Sequence, residues 1–123
     1  MKPPSLLPVL DRVEGLRRVA GDEGLYKELI GIFLGDLPRI LNEIDAAIAA
    51  DASAPLKCVA HSLRGSANQI GACAVAQHAG NLEELARRGM VQGAATSRQR
   101  LGDALTQLAT ILNAEIDCKR RDT

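Results

Sequence analysis

Between Leu25 and Ile48 the apolar residues Leu25, Leu29, Ile32, Phe33, Leu37, Ile40, Leu41, Ile44 and Ile48 recur at intervals of three and four. That spacing draws one face of an α-helix and is far too long for a strand. Asp22 stands where an N-cap is wanted. Pro38 falls inside the run, where it removes a backbone donor and is expected to bend the helix, but the stripe continues past it. One long kinked helix is predicted, and its apolar face can be buried only against other helices. The rest of the chain must supply them.

Punctuation divides the remainder accordingly. "VLDRVEGLRRVAG" after Pro8 reads as a short helix stopped by Gly21. "DASAP" makes a turn with Ser53 as N-cap and Pro55 in the first turn of a third helix, which runs to about Gln69 before Gly71 closes it in the left-handed conformation. "CAVAQHAGNLEELARR" is a fourth helix ending at Gly89, and a fifth begins near Thr96. Gly80 and Gly102 interrupt these helices at a cost of about 1 kcal/mol each, for which close helix approach is the expected reason. The chain has one Tyr, one Phe and no Trp, so its core is aliphatic, a mix that favours helices over a sandwich. Short connections make successive helices antiparallel. The predicted fold is all-α, an up-and-down four-helix bundle with a short accessory N-terminal helix. Residues 1–123 form a single domain, with 1–7 and 118–123 as flexible ends.

Fifteen basic and fifteen acidic side chains cancel, so no overall field attracts nucleic acid or an anionic membrane. The "CKRR" cluster is a local feature that suits the negative end of a helix dipole. Cys58, Cys73 and Cys118 are odd in number and lack C-x-x-C spacing, which argues against a disulfide framework or structural zinc and for reduced thiols. The opening "MKPPSLLPVLDR" does not resemble a signal peptide, and no run approaches eighteen apolar residues, so no membrane insertion is expected and a cytoplasmic location follows.

On a wheel of about 100° per residue starting at Leu56, the residues Leu56, Val59, Ala60, Leu63, Ala67 and Ile70 fall within about 60° of one direction. This is the core stripe. His61 lies at about 140°, Gly65 at about 180°, Asn68 at about 120° and Arg64 at about 80° from that starting direction. Ala72 would lie at about 160° if the turn continued. His61 is therefore predicted to face solvent. Gly65 on the solvent side has no core-packing purpose, yet it weakens the helix. Missing volume there lets a bulky partner approach His61, and Arg64, one turn away, can reach an anion carried by the ring.

"AHSLRGSANQIGA" resembles the signature of histidine-containing phosphotransfer (HPt) domains of bacterial two-component phosphorelays. The likeness continues through "AGDEGLYKELIGIFLGDLPRILNEIDAAIAADASAPLKCVAH" before it and "LEELAR" after it, covering roughly residues 9 to 116. The resemblance implies that His61 is the phosphorylated residue, Arg64 the cation beside it, in place of the family's usual Lys, and Gly65 the clearance for a docking receiver domain. Ser62, Asn68 and Ala72 are expected on the partner-binding face, with Ser66 beside the site. It implies a four-helix bundle with an accessory N-terminal helix, agreeing with the punctuation. Expected partners are response-regulator receiver domains and a hybrid sensor histidine kinase, and the chain itself is expected to be a monomer.

Neutral imidazole is a competent nucleophile near neutral pH, so attack on an aspartyl phosphate needs no general base. The chain shows no carboxylate cluster for magnesium, so no cofactor of its own is expected, and the resemblance implies that Mg²⁺ sits on the receiver. "GSANQIG" lacks the Lys-Ser/Thr ending of a P-loop, hence no autonomous kinase activity is expected. Two other readings remain open at the level of sequence. One is a metal site from Cys58, His61, Cys73 and His78, disfavoured because the wheel separates Cys58 from His61 by about 60°. The other is a helical adapter that binds a receiver or kinase without accepting phosphate.

Overall fold

The computed structural model describes residues 9–121, with side chains through Asn113. Five α-helices follow in order: α1 (Arg12–Arg18), α2 (Glu23–Ala49), α3 (Ser53–Ile70), α4 (Cys73–Arg87) and α5 (Ala94–Arg121), with a 3₁₀ turn at Val91–Gly93 leading into α5. There is no strand among the described residues, and the fold is the expected helical bundle. Helix α3 has its most extensive contact with α4, α2 packs on α3, and α5 packs on α4. Between α2 and α5 the contact is smaller, and Arg98 of α5 clamps Asp45 of α2 through two hydrogen bonds of 2.7 and 3.2 Å. The ends predicted to be flexible concern residues outside those described, save for 118–121, whose backbone continues α5.

The stripe of α2 continues past Pro38, although Leu25 and Ile32 of the predicted set are exposed. Pro38 lies on the exposed face, where water can take the place of the missing donor. Asp22 caps this helix as predicted, its carboxylate accepting from the Leu25 N–H at 3.0 Å. Ser53 is not the cap of α3. The α2 terminus closes with Asp51 in the left-handed region (φ 52°) and the Ala52 N–H bonded to the Ala47 carbonyl at 2.9 Å, so Ala52 takes the N-cap position and Ser53 is already helical. In α5, buried Val91 and Ala94 anchor the 3₁₀ turn and start the helix two residues before Thr96.

Predicted close helix approach at Gly80 and Gly102 is not what the fold uses. A Cβ at Gly80 would meet only the Arg64 Cδ, at 3.4 Å, and one at Gly102 only the Arg98 Nη1, at 3.1 Å. The first is ordinary van der Waals contact and the second is the end of a flexible side chain, so the packing requires a glycine at neither position. The true close approach is at Gly15 of α1, where a Cβ would stand 2.5 Å from Tyr26 Cε1 and 2.6 Å from the Ile70 carbonyl oxygen.

That contact seats α1 on the end of the bundle. The Asp11 N–H donates to the Gly71 carbonyl at 2.7 Å, and the Tyr26 hydroxyl donates to the Ile70 carbonyl at 2.8 Å. Gly71 itself has φ 81°, and a side chain there would run into the Asp11 carbonyl. Gly15→Val is therefore expected to lower stability by about 1–3 kcal/mol through overpacking. Thermal melting and amide exchange across residues 11–18 check this; an unchanged melt would show that α1 does not contribute to the fold.

Candidate functional site

Helix α3 turns its apolar stripe inward as the wheel predicts: Leu56, Ala60, Leu63, Ala67 and Ile70 are buried and Val59 is half-buried. The opposite side carries His61, whose side chain is 64% exposed. Gly65 is exposed one turn on, and a Cβ built there meets nothing within 4 Å. Its own fold therefore does not require a glycine at that position. Ser62, Ser66 and Asn68 are exposed as expected.

Ala72 is not on this face. It is fully buried, because α3 stops at Ile70 and left-handed Gly71 redirects the chain, so the α3 wheel does not extend to residue 72. Ile40, a further apolar position near the site, is buried at 7% exposure and helps form the floor of an open groove between α2 and α3. Asp36, Arg39, Cys58, Ser62 and Ser66 line this groove, which lies next to the His61 face.

One residue that sequence reasoning missed completes the site. Glu83 of α4 lies across from His61, with its Oε2 2.9 Å from the ring Nδ1. At 8% exposure it is the one charged residue in the buried set among the described residues. An ionised carboxylate only accepts, so Nδ1 must carry the hydrogen. The other nitrogen, Nε2, is then left with its lone pair. Glu83 therefore fixes both the tautomer and the ring orientation. A signal for it was present: Ala79, Leu82, Glu83 and Ala86 share one face of α4, so the wheel sets a carboxylate on the apolar stripe.

Arg64 stands where it can serve this pair. Its Nε is 3.2 Å from Glu83 Oε1, and its Nη2 is 3.4 Å from His61 Nδ1. The first is an ion pair whose N–H does not aim at the oxygen, since Oε1 makes no hydrogen bond. The second is a contact and not a bond, because the Nδ1 hydrogen is already given to Glu83. The arginine stem reaches this position by crossing Gly80, one turn before Glu83 on α4.

Elsewhere the titratable groups have structural explanations. The Cys73 thiol donates to the Gly71 carbonyl at 3.3 Å, and burial, then Asp11, pushes its pKa up, which favours the protonated thiol. Cys58 is an exposed free thiol. No group of three or more His, Cys, Asp or Glu among the described residues could hold a metal ion, so Cys58, His61, Cys73 and His78 do not assemble into one.

His78 is half-buried, its Nδ1 has no hydrogen-bond partner, and burial, then Arg100, holds its imidazole below the ordinary range. The fold favours the neutral ring. As pH falls below about 6.5 the unfolded chain takes up this proton first, so stability is complete above that pH and is lost down to the lower folded value. Melting temperature is expected to drop between pH 7 and pH 5.5, and His78→Gln to flatten the drop. An identical pH slope in that variant would contradict the assignment.

An all-α bundle that presents one oriented, solvent-facing imidazole beside a cation defines a histidine carrier. The sequence matches the Hpt domain family over residues 28–111, and the chain belongs to that family: it is a histidine phosphotransfer intermediate of phosphorelays. The fold is similar to that of histidine-containing phosphotransfer protein B (HptB) from Pseudomonas aeruginosa PAO1, with 28% identity, a TM-score of 0.81, and coverage of 88% of this chain and 94% of that one. It is also similar to the HPT domain from the Hpt sensor hybrid histidine kinase from Shewanella, with 19% identity, a TM-score of 0.78, and coverage of 89% and 94%. No curated protein sequence matches the chain. Among the described residues no helix is long and apolar enough to cross a membrane.

Proposed function

We propose that His61 accepts a phosphoryl group at Nε2 from the aspartyl phosphate of a receiver domain and passes it to a second receiver aspartate. The observation that carries this reading is the 2.9 Å contact between buried Glu83 and Nδ1 on a ring whose side chain is 64% exposed, which leaves the lone pair on Nε2. In the transfer the Nε2–P bond forms as the P–O bond to the aspartate breaks, and the aspartate leaves as a carboxylate. The ring keeps its Nδ1 hydrogen and becomes cationic, and Glu83 faces that new charge. Arg64 is near enough to meet the phosphoryl oxygens.

Glu83, the carboxylate at the site, already faces His61 and Arg64, so Mg²⁺ is assigned to the receiver, as is most of the transition-state stabilisation. The chain then acts without kinase activity of its own, in the cytoplasm, with receiver domains and a hybrid sensor kinase as partners. Receivers dock on the exposed face of α3 and the adjoining α2 groove, over a small transient interface of about 1,200 Å² or less. An adapter that never takes phosphate would share the fold, but a fixed imidazole tautomer has no purpose in it.

Incubation with a phosphorylated receiver and Mg²⁺ is expected to leave an acid-labile, alkali-stable phosphate on this chain. Absence of label with every receiver of a two-component repertoire would contradict the proposal. Gly65→Gln is expected to raise helicity and yet slow transfer at least about tenfold, equivalent to about 1.4 kcal/mol of lost docking. An unchanged rate would remove clearance as the reason for the glycine.

A further inference from the structure

Glu83 brings a negative charge under the reactive ring, and what balances that charge decides whether the ring is nucleophilic. A buried carboxylate facing a lone imidazole draws a second proton onto it, since the imidazolium would be its only counter-ion. Imidazolium has no lone pair at Nε2 and cannot attack phosphorus. The structure supplies another counter-ion. Arg64 Nε lies 3.2 Å from Glu83 Oε1, on the oxygen that His61 does not use, and Arg64 Nη2 lies 3.4 Å from His61 Nδ1.

We propose that Arg64 is a positioning residue: its guanidinium neutralises Glu83, so the carboxylate accepts the Nδ1 hydrogen without adding a second proton to His61. This rests on the reading of His61 as phosphoacceptor and gives Arg64 a duty separate from any contact with the phosphoryl group. Two effects act in the same direction. The guanidinium occupies the carboxylate, and its own positive charge beside the ring opposes a second one there.

The Arg64 stem passes over Gly80, three residues before Glu83 on α4, with Cδ at ordinary van der Waals distance, 3.4 Å, from where a Cβ would stand. The charged groups in contact with the ring are Glu83 from α4 and Arg64 from α3, and Lys57 stands one turn before His61 on the exposed side of α3. Helix α2 contributes Asp36 and the Arg39–Glu43 pair, but these line the groove with Ser62 and Ser66, on the other side of α3 from Glu83.

The test compares the unaltered protein with Arg64→Gln and Arg64→Lys, each labelled with ¹⁵N-histidine. At pH 7 the ring nitrogen shifts of His61 report the ratio of imidazolium to neutral Nδ1–H tautomer without any phosphotransfer. Removing one unit charge at about 4 Å across water is expected to raise this ratio about fivefold in Arg64→Gln, with Arg64→Lys staying within about twofold of the unaltered protein. Transfer from a phosphorylated receiver should then be impaired more at pH 6 than at pH 8.5. Unchanged ring spectra in Arg64→Gln, or a rate loss of the same factor at every pH, would overturn the proposal and leave Arg64 with the phosphoryl group alone. Should the unaltered protein accept no phosphate, the assignment of His61 fails, while the ring spectra still decide what Arg64 does.

Discussion

Replacing His61 with glutamine is expected to leave a folded bundle that carries no phosphate. The side chain is 64% exposed and contributes nothing to the core, and a glutamine amide can still donate to Glu83 from the same place. Stability should therefore change by no more than about 0.5 kcal/mol, the range of surface substitutions. The amide nitrogen has no lone pair to offer phosphorus, so label transferred from a phosphorylated receiver should fall to background. Circular dichroism establishes the fold and acid-labile radiolabel the function. A variant that is folded and still labelled would move the acceptor to another residue.

Glu83→Met is expected to separate activity from stability in the opposite way. Methionine has a similar length and volume but no charge, so the desolvation cost of a buried carboxylate is removed, and the partners it leaves, His61 and Arg64, are exposed enough for water to solvate them. The melting temperature should hold or rise. Without its acceptor, Nδ1 no longer has a fixed hydrogen and the ring can turn, so Nε2 is not held as the lone-pair atom. Loss of a hydrogen bond to a charged group is about 1.5–3 kcal/mol, which corresponds to a rate of transfer lower by about ten- to hundredfold. A destabilised protein with normal transfer would mean that Glu83 supports the fold and not the ring.

Local features were the ones that could be read from the sequence. The α3 stripe, the outward direction of His61 and Gly65, and the left-handed closure at Gly71 all follow from spacing within one helix and the residues at its end. Ala72 departs from the wheel because a wheel holds only while the dihedrals stay helical, and Gly71 ends that run. Ser53 gives way to Ala52 because the closing bond of α2, from Ala52 to Ala47, sets where α3 can begin.

What escaped sequence reasoning depends on which helices meet. Glu83 is 22 residues from His61 and reaches it only because α4 lies antiparallel against α3. The same pairing sets the Arg64 stem beside Gly80, and the docking of α1 explains Gly15, whose neighbours are Tyr26 and Ile70. The usual helical costs of a glycine are visible in a sequence, but the object that fills the space is not. A charge on an apolar stripe is the exception, since it announces a buried partner even when the partner is unknown.

The most direct measurement is the site of the phosphorus–nitrogen bond in the phosphorylated chain, read from ¹⁵N–³¹P coupling in protein labelled at its two histidines. The expected result is a single bond to Nε2 of His61, with Nδ1 still bearing its hydrogen toward Glu83. Phosphorus on Nδ1 of that ring, on His78 or on an oxygen would contradict the account.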